Sequence, residues 1–152
     1  MRRFTLLAAI LALGLSAQAA LAASPHFVRA SARLVGDNLA VSFKEAGLGN
    51  NQDIDYVASA DFSRTDSCMN GGGKVPSDPK KTETSDVVEA SDTFKSGKNG
   101  TISRTLTLVA LGTTLDCPPG QQETLISLTY SNVKITDVTN GITESIQGTF
   151  SK

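Results

Sequence analysis

Apolar residues recur at every second position through most of this chain, and beyond residue 23 no stripe of helical period interrupts them. Such alternation gives a strand one buried and one solvated face. From His26 to Leu34 it puts Val28, Ala30, Ala32 and Leu34 on one face, with Phe27, Arg29, Ser31 and Arg33 on the other. Gly36-Asp37-Asn38 supplies turn chemistry, and Leu39, Val41 and Phe43 resume the pattern, which predicts an opening hairpin. A loop over Gly47-Leu48-Gly49-Asn50-Asn51 follows. The clearest strand then spans Asp53 to Phe62: Ile54, Tyr56, Ala58, Ala60 and Phe62 face inward, and Asp53, Asp55, Ser59 and Asp61 outward.

Asn70 to Ser85 is rich in glycine, proline, lysine and threonine, and reads as a surface loop because it has little apolar surface to offset the entropy of ordering. Val87 and Val88 open a short edge strand ending near Phe94. Ile102, Arg104, Leu106 and Leu108 then alternate with hydroxyl-bearing residues. Leu111 to Gly120 is a connection that Pro118 and Pro119 keep out of any ladder. Ile126, Leu128 and Tyr130 share one phase while Val133 and Ile135 fall in the other, so a bulge or bend is predicted near Ser131-Asn132. Asn140-Gly141 suits a type I′ hairpin, and Ile142, Ile146 and Phe150 mark a final strand. About seven short strands with this turn spacing predict an all-β fold. A single antiparallel sandwich of immunoglobulin-like, Greek-key type fits best, with a barrel as the weaker alternative.

The first residues belong to a different class. Arg2 and Arg3 precede an apolar run from Phe4 to Leu15, and Ala20-Leu21-Ala22 offers a small-x-small cleavage pattern. This is the layout of a secretory signal peptide over residues 1–22, cleaved near Ala22/Ala23. The run is too short for the roughly 20 residues of a spanning helix. Residues 23–152 then form one domain, exported to the cell envelope or the medium. Removing Arg2 and Arg3 from the 14 basic residues leaves 12 against 15 acidic ones, a net charge near −3. No basic stripe is visible along the chain, so neither nucleic acid nor an anionic membrane is indicated as partner.

Export also bears on Cys68 and Cys117, the only cysteines, because oxidising compartments favour disulfides. Their spacing is not C-x-x-C, and the single histidine, His26, lies beside the new terminus, where a catalytic base is poorly held. No catalytic constellation and no cofactor motif emerges. Asp53, Asp55 and Asp61 are weak calcium candidates, since calcium takes hard oxygen ligands, but no EF-hand-like loop accompanies them. With Glu45 they also form the only basis for a carboxylate-dependent hydrolase. Gly71-Gly72-Gly73-Lys74 lacks the first glycine and the closing Ser or Thr of a phosphate loop. Asn99-Gly100-Thr101 is a formal glycosylation sequon.

Four segments carry a family likeness. Lys44-Glu45-Ala46-Gly47-Leu48-Gly49, Cys68-Met69-Asn70-Gly71-Gly72, Cys117-Pro118-Pro119-Gly120-Gln121 and Asn132-Val133-Lys134-Ile135-Thr136-Asp137 together resemble a group of small exported bacterial β-domain proteins of unknown function. The resemblance runs from about Leu39 to Gly148. It implies a single β domain with a disulfide and brings no catalytic residue. The expectation is a non-enzymatic binding module for an extracellular protein or a cell-envelope ligand. Its loops would present Lys44 and Glu45, Asn70 and Lys74, and Gln121 and Gln122. A protease inhibitor displaying Cys117-Pro118-Pro119 is the third option.

Overall fold

In a computed structural model, the structure describes residues 24–152. The expected signal segment and its expected cleavage site lie outside the described residues. Eight strands follow in order: β1 (His26–Val35), β2 (Asn38–Ala46), β3 (Asp53–Asn70), β4 (Lys81–Lys95), β5 (Ile102–Leu108), β6 (Gln121–Asp137), β7 (Ile142–Ser145) and β8 (Phe150–Ser151). One antiparallel sheet has the order β1-β2-β5, and the other β4-β3-β6-β7 with β8 also on β6. The chain passes between sheets after β2, β4 and β5. Three strands face five in a Greek-key sandwich of immunoglobulin-like type, and among the described residues no barrel closes.

The inward rows meet in one core. Leu39, Val41 and Phe43 of β2 and Leu106 and Leu108 of β5 pack against Tyr56, Ala58, Phe62, Leu128, Tyr130 and Ile135 of the larger sheet. Phe43 and Tyr56 stack across the sheets with centroids 4.5 Å apart. Cys68 and Cys117 are bridged, tying the end of β3 to the β5–β6 connection.

Bulges explain where simple alternation misplaces residues. Between Ser59 and Asp61 the β3–β6 register loses step, so that Asn132 and Val133 together oppose Ala60; Asn132 takes φ 52°. That is the predicted bulge. A second break, between Thr65 and Asp66, leaves Ile126 half exposed and turns Leu125 to the core, reversing the expected phase. A third, between Phe27 and Arg29, turns Phe27 inward and Val28 outward, again the reverse of the expectation.

Other boundaries also move. β3 continues eight residues past Phe62, and β4 begins at Lys81 rather than Val87. The expected final strand is two pieces, β7 and β8, both paired to β6. Asn140-Gly141 belongs to a four-residue turn, not a type I′ turn: Gly141 alone has positive φ, and the Gly141 N–H donates to Asp137 O. The Asp137 carboxylate sets this turn by accepting from Asn140 N and Nδ2. His26 is not frayed. It pairs with Ala46 in the ladder, and its Nδ1 lies 2.8 Å from Ser24 O.

Candidate functional site

The strand rows of the smaller sheet bring together side chains that the sequence keeps apart. Outward positions of β1 are Arg29, Ser31 and Arg33, all exposed. Cross-strand pairing sets Arg29 beside Lys44, and Lys44 beside Ser103; Ser31 stands beside Ser42, and Ser42 beside Thr105. Ser42 and Thr105 share a hydrogen bond of 2.8 Å. Among the described residues, no carboxylate holds an outward position on these three strands. The result is a hydroxyl grid carrying three cations. A shallow, open depression of about 400 Å³ lies on it, lined by Arg29, Ser31, Ser42, Ser103, Arg104 and Thr105. Arg104 enters from the edge strand, its guanidinium 5.6 Å from the centroid of Phe94.

The outer face of the larger sheet has the opposite character. Asp53, Asp55, Asp61, Glu83 and Glu89 are exposed there, against Lys81, Lys95 and Lys134. The three calcium candidates each have a separate partner. Asp53 pairs with Lys95 at 2.7 Å, Asp55 accepts from Thr93 Oγ1, and Asp61 accepts from Asn132 Nδ2. They are spaced along a flat strand face and do not converge as hydrolytic carboxylates must. Among the described residues no group of three or more acidic, histidine or cysteine side chains is arranged to hold a metal.

The six candidate loop residues fall into two distant places. Asn70 pairs with Gln121 and Met69 with Gln122, while Lys74 bridges back to Asn70, so four of them collect at the disulfide end of the larger sheet. Lys44 and Glu45 are strand residues, because β2 runs on to Ala46. The expected binding-loop residues Lys44 and Glu45 thus precede the loop, which begins at Gly47. There a Cβ would meet Ser24 O at 2.1 Å, so only glycine admits the N-terminal segment.

Glu45 is fully buried, which no feature of its own segment signals. Its Oε2 accepts from Tyr56 Oη at 2.6 Å, and its Oε1 is buried without a hydrogen-bond partner among the described residues. Phe27 and Ile102 flank it within the smaller sheet. Tyr56 and Asp137, a register pair, are both fully buried in the larger one. Burial pushes the Glu45 carboxyl up to about 7, against the Tyr56 hydrogen bond and with the help of Asp137. Burial and the Glu45 carboxyl hold the Tyr56 hydroxyl far above the ordinary phenol range.

The far end of β3 carries a contrasting cluster. Arg64 grips the fully buried Asp66 with two hydrogen bonds, of 2.6 and 2.8 Å, and Thr113 adds a third. The Arg64 hydrogen bonds hold the Asp66 carboxyl below its usual range. Tyr130, which donates to Asp37 O, is pushed up to about 12 by burial. Comparison with protein-family models, curated proteins and solved structures finds no match.

Proposed function

We propose that this protein is an exported binding module whose ligand is a linear anionic polymer of the cell envelope or surrounding medium. The reading rests on one observation. Three cations, Arg29, Arg33 and Lys44, share a hydroxyl-lined sheet face that bears no carboxylate among the described residues, although the chain as a whole is slightly acidic. A guanidinium suits sulfate, phosphate or carboxylate through paired hydrogen bonds, and the Ser and Thr hydroxyls extend that recognition along the strands. The depression is open and polar, which suits a ribbon-like ligand lying across strands better than a small molecule that needs enclosure. The signal segment and the disulfide are consistent with work outside the cytoplasm.

The test is binding of the purified, disulfide-bonded domain to dextran sulfate and to polygalacturonate at low salt. The triple variant R29A/R33A/K44A is expected to lose at least about tenfold in affinity, the equivalent of ~1.4 kcal/mol, with its melting temperature unchanged. The variant D53N/D61N, on the opposite face, is expected to bind like the parent. Equal binding by the parent and the triple variant would remove this face from the function. Selective capture of an extracellular protein, with no affinity for either polymer, would assign the face to a protein partner.

A further inference from the structure

We propose that Glu45 and Asp137 form a proton-operated clasp between the two sheets, and that this clasp regulates ligand binding by the cationic face. The proposal rests on the binding role assigned to that face above.

Two facts of geometry carry it. Glu45 projects from the smaller sheet into the core end where Asp137 and Tyr56 of the larger sheet are also buried. Oε2 is satisfied by Tyr56, whereas Oε1 has no partner within hydrogen-bonding geometry. A proton on Oε1 makes it a donor, and the Asp137 carboxylate, near enough to help push the Glu45 carboxyl up, is the acceptor the clasp assigns to it. When the proton leaves to water, two carboxylates share a core end where, among the described residues, no arginine or lysine forms a salt bridge with either of them. Such a pair is relieved by moving apart or by admitting water.

The titratable and charged groups at this end are His26 on β1, Tyr56 on β3, Asp92 on β4, Arg104 on β5 and Asp137 on β6. Asp92 is exposed and capped by the Thr93 N–H, and Arg104 lies over Phe94. His26 favours the charged form of Glu45 by its positive charge, but weakly beside the burial that opposes it.

Coupling to the binding face follows from the register. Glu45 is one residue from Lys44, and their β1 partners are Phe27 and Arg29, on either side of a bulge. Displacement of the β2 end and the start of β1 therefore shifts two of the three cations at once. Protonation keeps them in place, and ionisation releases them. A bulge is where a strand pair yields first, since a ladder step is already missing there.

The experiment measures dextran sulfate binding from pH 5.5 to 8.5 for the parent, E45Q and H26Q. Sulfate, arginine and lysine keep their charges over that range. The parent is expected to lose about fivefold or more in affinity as pH rises, a typical coupling between linked sites. E45Q keeps a donor where the proton sat and cannot ionise, so its affinity should be flat; H26Q should follow the parent. In parallel, the Glu45 side-chain carboxyl carbon is titrated by NMR in the parent, a readout that does not depend on E45Q folding. A Glu45 midpoint below pH 5 would overturn the clasp whatever the binding shows. Identical pH profiles for the parent and E45Q would overturn the coupling. No binding at any pH, with Glu45 still titrating near neutrality, would dispose of the binding face and leave the clasp standing.

Discussion

Two buried polar clusters cap the same strand, and they differ in one respect that decides how each responds to pH. At Asp66 a guanidinium supplies the countercharge; at Glu45 nothing comparable does. In the unfolded chain Glu45 ionises near 4.5, and in the folded protein near 7. Below 4.5 both states hold the proton. Between the two values only the folded state holds it, so stability is lost as pH rises through that window, by about 3 kcal/mol in all. Urea unfolding across pH 4.5–8 should show this decline in the parent and not in E45Q; parallel curves would count against it. Asp66 has the opposite sign. Its folded value lies below 3.8, so its contribution is present at higher pH and lost as pH falls through the folded value. Removing its partner with R64M strands a buried carboxylate and should cost about 3–5 kcal/mol. The double variant R64M/D66L should recover much of that loss, and two urea curves at neutral pH decide the point. The burial of Glu45 leaves no mark in its own segment, for a physical reason. A glutamate between a lysine and Ala46-Gly47 looks solvated, and its burial depends on Tyr56 and on Asp137 far along the chain.

At the scale of elements, legibility tracked whether the inward row stayed apolar. Ile54 to Phe62 were readable as a strand because each inward residue is apolar. The same strand beyond Phe62 was not, because its inward row continues as Arg64 and Asp66 and satisfies itself by ion pairing. The bulges divide in a similar way. At Asn132 large apolar residues on both sides fall out of phase, which exposes the slip. At Phe27-Val28 and Leu125-Ile126 the neighbours are both apolar and either could face inward. The only trace of those two bulges in the sequence is the adjacent apolar pair itself. Edge strand β4 shows a further device: Asp86 and Asp92 each accept from the next residue's N–H, occupying amides that another chain's strand would otherwise take. The Asn132 bulge makes a direct test. With φ 52°, N132G should remain within about 1 kcal/mol of the parent, since glycine tolerates that region and loses only the exposed bond to Asp61. N132V places a β-branched side chain there and should cost about 2 kcal/mol. Thermal melts that rank the two variants in the reverse order would show that the side-chain bond, not the backbone, holds the bulge.

The whole molecule is electrically two-sided, and a net charge of −1 for the full sequence conceals it. No strand taken alone carries more than two of the three cations, since Arg29 and Arg33 come from β1 and Lys44 from β2. Only the register of the β1–β2 hairpin makes them one surface, which is why no basic stripe could be read along the chain. The disulfide fixes the opposite end of the sandwich, leaving this face free of covalent constraint. If the face binds a linear polyanion, its cations displace condensed counterions, and the logarithm of affinity should fall linearly with the logarithm of salt concentration. For densely charged polymers each neutralised charge adds about 0.7 to 0.9 to that slope, so three cations predict a slope of about −2 to −3. Removing one, with R33A, should reduce its magnitude by about 1 while leaving the fold intact, because Arg33 is exposed and makes no ion pair among the described residues. D61N, on the acidic face, should leave the slope where it was. The two variants therefore separate a local contact from the field of the whole protein. Equal shifts in both would mean that the polymer senses net charge alone, and that the hydroxyl grid between the cations contributes no recognition.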